Sequence, residues 1–227
     1  VKMKKNLFLL LLLAVGIISS CKKNNYQPVD YGYNYYGLEK GRFIEYEIRY
    51  MDHDSLLNKH DTSVFYLKTV IGSEYTDNEG RKGFEYLRYR KDSLSGKYVF
   101  LNKWVTLIAD RKAQLVEENQ RKVKLVFPIG KEQEWDANMY NNLGEQTAHY
   151  EGINVPYANS FFSTDSSVTA EFYKYKTLID DRLEQEVYAK GIGMVYKVSK
   201  NLYYQFGWTS PYKGTELYYS AIATGIE

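Results

Sequence analysis

The sequence is poor in the residues that most often announce chemistry. It holds one cysteine, Cys21, in 227 residues. No disulfide can therefore form within the chain, and any fold must rest on a buried core, for which about 200 residues suffice. Histidine occurs three times, as His53, His60 and His149. No Gly-x-Ser-x-Gly elbow is present and no cysteine stands free beside a histidine, so the sequence offers no recognisable nucleophile. Four prolines exclude a polyproline tract. Apart from one segment near the start there is no long apolar run. Charge of either sign is not in excess, with 30 basic and 28 acidic residues.

The apolar segment is Leu7 to Ile18 (LFLLLLLAVGII), preceded by Lys2, Lys4 and Lys5 and followed by Ser19, Ser20 and Cys21. A basic stretch, an apolar stretch and small residues, in that order, make an export signal. Twelve residues rise about 18 Å as a helix against a hydrocarbon core of about 30 Å, which is too short to span comfortably. Removing residues 1–20 takes away three lysines and no acid, leaving 27 basic and 28 acidic residues. Nucleic-acid binding, which needs a concentrated positive footprint, is not expected of such a chain.

Ile18-Ser19-Ser20-Cys21 resembles the lipobox of bacterial lipoproteins. That resemblance implies cleavage before Cys21 and a diacylglycerol thioether on its sulfur. Each buried CH₂ of such an anchor contributes roughly 0.8 kcal/mol, and two or more chains hold where one is marginal. The expected organisation is a signal peptide over 1–20, a lipidated cysteine and flexible tether over 21–35, and a single β domain over 36–227. The tether (KKNNYQPVDYGYNY from Lys22) is polar, with Pro28 and Gly32 and no amphipathic period.

From Phe43 the hydrophobic period becomes two. Ile44, Tyr46, Ile48 and Tyr50 alternate with Glu45, Glu47 and Arg49, the pattern of a strand with one wet side. Similar runs are expected at 62–71, 83–91, 97–109, 113–118, 122–129, 146–153, 167–178, 183–191, 193–201, 202–208 and 215–223. Turn signals fall at Asp77-Asn78-Glu79-Gly80, Ser95-Gly96, Asp110-Arg111-Lys112, Asp180-Asp181 and Lys213-Gly214. The segments 53–61 and 131–146 carry no more than a turn of helix each. So many short strands predict a mainly β fold, a single curved antiparallel sheet closing towards a barrel, a half-barrel or a sandwich. The 24 tyrosines suit such a sheet, where a half-buried pleat takes the ring and the hydroxyl reaches water.

Three patches resemble uncharacterised outer-membrane lipoproteins of the Bacteroidetes type. They are Tyr36-Gly37-Leu38-Glu39-Lys40-Gly41-Arg42-Phe43-Ile44-Glu45-Tyr46, with Gly37 where that group usually has proline; Phe127-Pro128-Ile129 with Trp135, Asn138, Tyr140 and Asn141; and YAKGIGMVYKVS over 188–199. The resemblance implies an outer-membrane location and a β architecture, and it carries no activity. Within the third patch, Gly191-Ile192-Gly193 reads as a hairpin or bulge, because a phosphate-cradling loop would need a following helix.

Few residues remain as functional candidates. Tyr203, Tyr204, Phe206, Trp208 and Tyr212 lie within ten residues around Gly207 and Pro211. They can stack on a sugar, hold lipid, dock a partner, or plug the barrel mouth as core. Asp54-Ser55-Leu56 and Asp92-Ser93-Leu94 resemble the O-glycosylation site of exported Bacteroidetes proteins, which makes Ser55 and Ser93 candidates; Asp-Ser is equally ordinary turn chemistry. His53 and His60 share a segment with Asp52, Asp54 and Asp61, but their spacing fits neither a helix face nor a strand face, so only a loop would turn both inward. His149 reads as a surface or edge residue. No metal, cofactor or catalytic residue is expected. The expected protein is a non-catalytic, membrane-anchored envelope lipoprotein binding an apolar or glycan ligand or an envelope partner. The alternatives are a structural or assembly accessory and a hydrolase.

Overall fold

A computed structural model describes residues 29–227; Cys21 and the leader lie outside the described residues. Residues Tyr31–Glu227 form one compact unit. Its strands are β1 (Arg42–Asp54), β2 (Lys59–Thr76), β3 (Lys82–Lys91), β4 (Tyr98–Ala109), β5 (Lys112–Glu117), β6 (Gln120–Val126), β7 (Glu134–Asp136), β8 (Thr147–Ala158), β9 (Ser163–Lys176), β10 (Asp180–Ala189), β11 (Gly193–Tyr203) and β12 (Lys213–Ile226). All twelve belong to one antiparallel sheet in the order β6-β5-β4-β3-β2-β1-β12-β11-β10-β9-β8-β7. Two six-strand meanders are thus joined by β1 and β12, which pair from Arg42↔Ile226 to Asp54↔Lys213.

Period-two patterning explains the elements. Ile44, Tyr46 and Ile48 of β1 are buried while Glu45, Glu47 and Arg49 turn away from the core, and the alternation ends before Tyr50, which is exposed. Tight hairpins form where two successive residues take positive φ, at Asp110-Arg111 and Glu118-Asn119, because that geometry matches the twist of the flanking strands. Bulges at Glu45/Tyr46, Arg88/Tyr89, Ala113/Gln114 and Val187/Tyr188 bend the strands. The curvature brings edge strands β6 and β7 together and nearly closes the barrel.

One backbone bond and several side-chain bonds seal that seam instead of a full ladder. Val123 N donates to Ala137 O (2.9 Å), Trp135 Nε1 to Val123 O (3.1 Å) and Asn141 Nδ2 to Arg121 O (2.9 Å). The Tyr150 hydroxyl accepts from Val126 N and donates to Val126 O. An edge strand that would otherwise present unpaired backbone groups is thereby covered. Around it packs one core cluster that includes Leu125, Phe127, Trp135, Tyr150 and Phe172. A second, containing Ile44, Tyr46, Ile48, Leu67, Val195 and Ala221, lies under the β1/β12 joint.

The structure departs from the sequence expectations in several places. The last five residues of the expected tether are folded: Tyr35 is buried, Tyr31 O accepts from Ile129 N, and Asn34 O accepts from Gly191 N at the β10–β11 hairpin. No separate strand covers 202–208; Leu202 and Tyr203 finish β11, and a loop runs from there to β12. Segment 131–146 holds the short β7 and no helix. The β9–β10 turn is Thr177–Ile179, closed by Thr177 N to Asp180 O (2.8 Å), so Asp180 and Asp181 open β10. Lys213 and Gly214 belong to β12, paired with Tyr203 and Leu202.

Gly37 shows what the departure from proline means. Its φ is +63°, and a Cβ there would lie 2.2 Å from Ile192 O. Proline, locked near φ −65°, cannot take this conformation. The close approach seats the 3-10 turn Tyr33–Tyr36 against the β10–β11 hairpin.

Candidate functional site

The concave face of the sheet is hollow. A cavity of about 80 Å³ is lined by alternate residues of successive strands: Ile44 and Tyr46 of β1, Leu67, Thr69 and Ile71 of β2, and Tyr86 and Arg88 of β3. Trp104 and Thr106 of β4, Leu115 and Glu117 of β5, Lys124 of β6, and Glu186 and Tyr188 of β10 continue the wall. Tyr36 and Gly37 of the N-terminal segment, with Ile192 and Gly193 of the hairpin beneath them, reach it from one end of the barrel.

Its polar groups are organised. Lys124 Nζ lies 2.9 Å from Glu186 Oε1 and 3.7 Å from a Glu117 oxygen, and Lys197 Nζ lies 3.3 Å from Glu186 Oε1. Tyr188 donates its hydroxyl to the other Glu186 oxygen. Burial alone would raise the Glu186 carboxyl, but the charges of Lys124 and Lys197 and these hydrogen bonds hold it at about 2. Burial would likewise lower the Lys124 ammonium, and Glu186 and Glu117 keep it raised. Lys124, Lys197, Glu117 and Glu186 thus form a balanced cluster of two cations and two anions. Burial pushes the Tyr36, Tyr46 and Tyr188 phenols up, so they act as neutral hydrogen-bonding groups. Tyr36 reaches Thr106 Oγ1 (2.8 Å) and Tyr46 donates to Met194 O (2.7 Å).

Arg88 is held differently. Its guanidinium carbon lies over Trp104, 3.7 Å from the ring centroid, and the group donates to Asn102 Oδ1 (3.2 Å). No carboxylate pairs with it among the described residues. Arg42 pairs with Glu39, while its Nε is buried without a hydrogen-bond partner.

The aromatics selected from the sequence are elsewhere. Tyr203, Tyr204, Phe206, Trp208 and Tyr212 contribute nothing to the cavity wall. Phe206 is 80% and Trp208 50% exposed; Trp208 meets Tyr212 edge-on at 6.5 Å, and Arg182 sits over Tyr203. Tyr203 ends β11 and the other four lie on the loop that follows, with Tyr204 and Tyr212 half-buried, and none of them plugs the cavity.

Ser55 and Ser93 occupy equivalent turns. Asp54 accepts from Leu56 N and Leu57 N, and Asp92 from Leu94 N and Ser95 N. Ser93 is exposed, whereas Ser55 donates its hydroxyl to Pro211 O and its backbone N–H to Tyr212 O.

The histidines correct one expectation. His53 and His60 are brought together by hairpin register, not by a loop, because they are direct cross-strand partners of β1 and β2. Their Nδ1 atoms are 3.1 Å apart, and His53 Nε2 faces Glu216 Oε1 at 3.3 Å. His149 pairs across strands with Glu171, and with Glu151 these residues offer ligand atoms within 4.8 Å of one another. Gln185 and Lys174 already engage Glu171. The cavity wall contains no histidine, serine or cysteine among the described residues.

A second hollow, about 670 Å³, is an open trough lined by Val64, Phe65, Val99, Phe100 and Leu101 with Arg90, Lys91 and Ser93. Val64, Val99, Phe100 and Leu101 are about half exposed there, and Phe65 is partly buried.

The residues that build the cavity's chemistry, Arg42, Arg88, Glu117, Lys124, Glu186 and Lys197, were not singled out by sequence. Each falls in a strand run where a charged residue at alternate positions reads as the wet face. The only available signal was that β6 and β10 carry charge on one face and apolar residues on the other, with nothing to say which face turns inward. No protein family, curated protein or solved structure matches the chain.

Proposed function

We propose that this protein is a lipid-anchored component of the cell envelope, held at the outer membrane through Cys21, and that its β domain is a non-catalytic module binding a small, largely apolar ligand in the central cavity. The observation that carries the reading is the hollow concave face. A sheet whose inward residues include Tyr46, Tyr86, Trp104 and Leu67 could have closed on itself, as small barrels do. Instead it keeps a partly open hollow walled by aromatics and a few ordered polar groups, the usual composition of a ligand site. The leader and lipobox-like stretch support the anchor. The test is native mass spectrometry of the protein from its own membranes. Release of a bound small molecule, together with an N-terminal peptide carrying diacylglycerol on Cys21, supports both halves; an empty cavity and a bare thiol remove them.

A second reading rests on the open trough. Val64, Val99, Phe100 and Leu101 expose apolar surface beside Arg90 and Lys91, which suits docking of an envelope partner protein. Cross-linking from position 100 in intact cells separates the readings, since a specific adduct there supports docking and its absence leaves the cavity.

A further inference from the structure

We infer that the cavity takes a small monoanion, a carboxylate on a short apolar body, with Arg88 as the charge that receives it and the Arg42 Nε–H as an additional donor. This rests on the cavity being a binding site.

The argument begins with charge. Lys124 and Lys197 are matched by Glu117 and Glu186, and Arg42 by Glu39. Arg88 is left with a neutral amide and an aromatic face. A guanidinium seated over an indole and bonded to an amide is positioned, and its planar fork matches a carboxylate's two oxygens. One uncompensated positive charge calls for one negative charge.

The second observation is the orphan donor. Buried polar hydrogens are nearly always bonded, because an unmade bond retains the full desolvation cost. Arg42 Nε is such an atom, and its side chain lines the same cavity. The register places the two arginines on one face: Arg88 is opposite Thr69, Thr69 is opposite Ile44, and Ile44 is two residues from Arg42.

Size and wall chemistry supply the rest of the ligand. At about 10–15 Å³ per water-sized position, 80 Å³ holds roughly five to eight such positions. Leu67, Ile71, Leu115 and Met194 line it, which suits a short hydrocarbon body better than a polyol.

The experiment is calorimetric titration of the full mature protein in nanodiscs, with protein-free nanodiscs as the blank, using hexanoate, 1-hexanol, hexylamine and inorganic phosphate. Hexanoate is expected to bind about tenfold or more tighter than hexanol, with hexylamine weaker still and phosphate not competing. Arg88→Met should bring hexanoate down to the hexanol value and leave hexanol within about twofold, and Arg42→Gln should weaken hexanoate less than Arg88→Met does. Equal binding of hexanoate and hexanol by the unaltered protein overturns the monoanion inference and leaves the cavity reading standing. Displacement of hexanoate by phosphate overturns the carboxylate assignment. Failure of every probe removes the cavity reading itself. The comparison among ligands needs no variant, so misfolding of Arg88→Met does not blunt it.

Discussion

Lys124 Nζ and Glu186 Oε1 lie 2.9 Å apart although their strands, β6 and β10, are far from adjacent in the sheet. The contact crosses the inside of the barrel. It ties the two meanders together on the side opposite the β1/β12 joint and fixes one wall of the cavity.

Breaking the pair from one side should therefore be costly. Lys124→Met or Glu186→Gln leaves the four-charge cluster one charge out of balance, with Lys197 or Glu117 still beside the surviving partner, and each is expected to destabilise the fold by up to about 3–5 kcal/mol. The double variant should lose clearly less than the sum of the two. Urea unfolding of the four proteins in the cycle measures this; strict additivity would mean that the pair is not coupled.

Acid should expose the same group. With its folded value near 2 and an ordinary value near 4.5, Glu186 is ionised in the folded state where the unfolded chain already binds a proton. Its contribution, about 3 kcal/mol, is complete above pH ~4.5 and is lost as pH falls towards 2. Thermal melts at pH 6, 4, 3 and 2 should show a steeper loss for the unaltered protein than for Glu186→Gln. Parallel curves would place the acid sensitivity elsewhere.

At Gly37, alanine has no room. With φ at +63° and Ile192 O 2.2 Å from the added carbon, Gly37→Ala should cost upwards of about 1 kcal/mol, from positive φ together with a clash against backbone. A melt matching the parent would show that the 3-10 turn shifts freely.

The exposed loop should be dispensable for the cavity. Phe206→Ala and Trp208→Ala remove surface side chains outside the wall, so stability should change by no more than about 0.5 kcal/mol, with hexanoate affinity unaltered. A large loss of affinity would return the site to the loop.

If the Asp-Ser turns are glycosylated, accessibility separates them. Ser93 stands free at a hairpin tip, while Ser55 is hydrogen-bonded to the β11–β12 loop. Peptide mass spectrometry on protein from its native host should find sugar on Ser93 in preference to Ser55; the reverse pattern would contradict the structure.

The strands were legible because alternation is a local property. In β1, Ile44, Tyr46 and Ile48 announce their face, and Asp110-Arg111 announces its hairpin. What local pattern does not carry is the identity of the inner face once both sides of a strand are covered. Val123 and Leu125 are buried, and so is Lys124 between them; in sequence, that lysine looks solvated. The cross-strand meeting of His53 with His60 was hidden for a related reason, since it follows from hairpin register and not from their spacing along the chain. The place of the aromatic loop was equally hidden, since composition does not say whether such residues face the cavity or the outside. Its position between the end of β11 at Tyr203 and the start of β12 at Lys213 puts it outside the cavity wall.

The joint between β1 and β12 has a further consequence for how the molecule comes to exist. Residues 42–54 find their partners at 213–226, so the first strand to be synthesised must wait for the last. Contacts this remote in sequence slow folding to milliseconds or longer. Throughout that interval each half carries an open edge, and a chain lacking its final strand would keep one indefinitely, as a template for its neighbours.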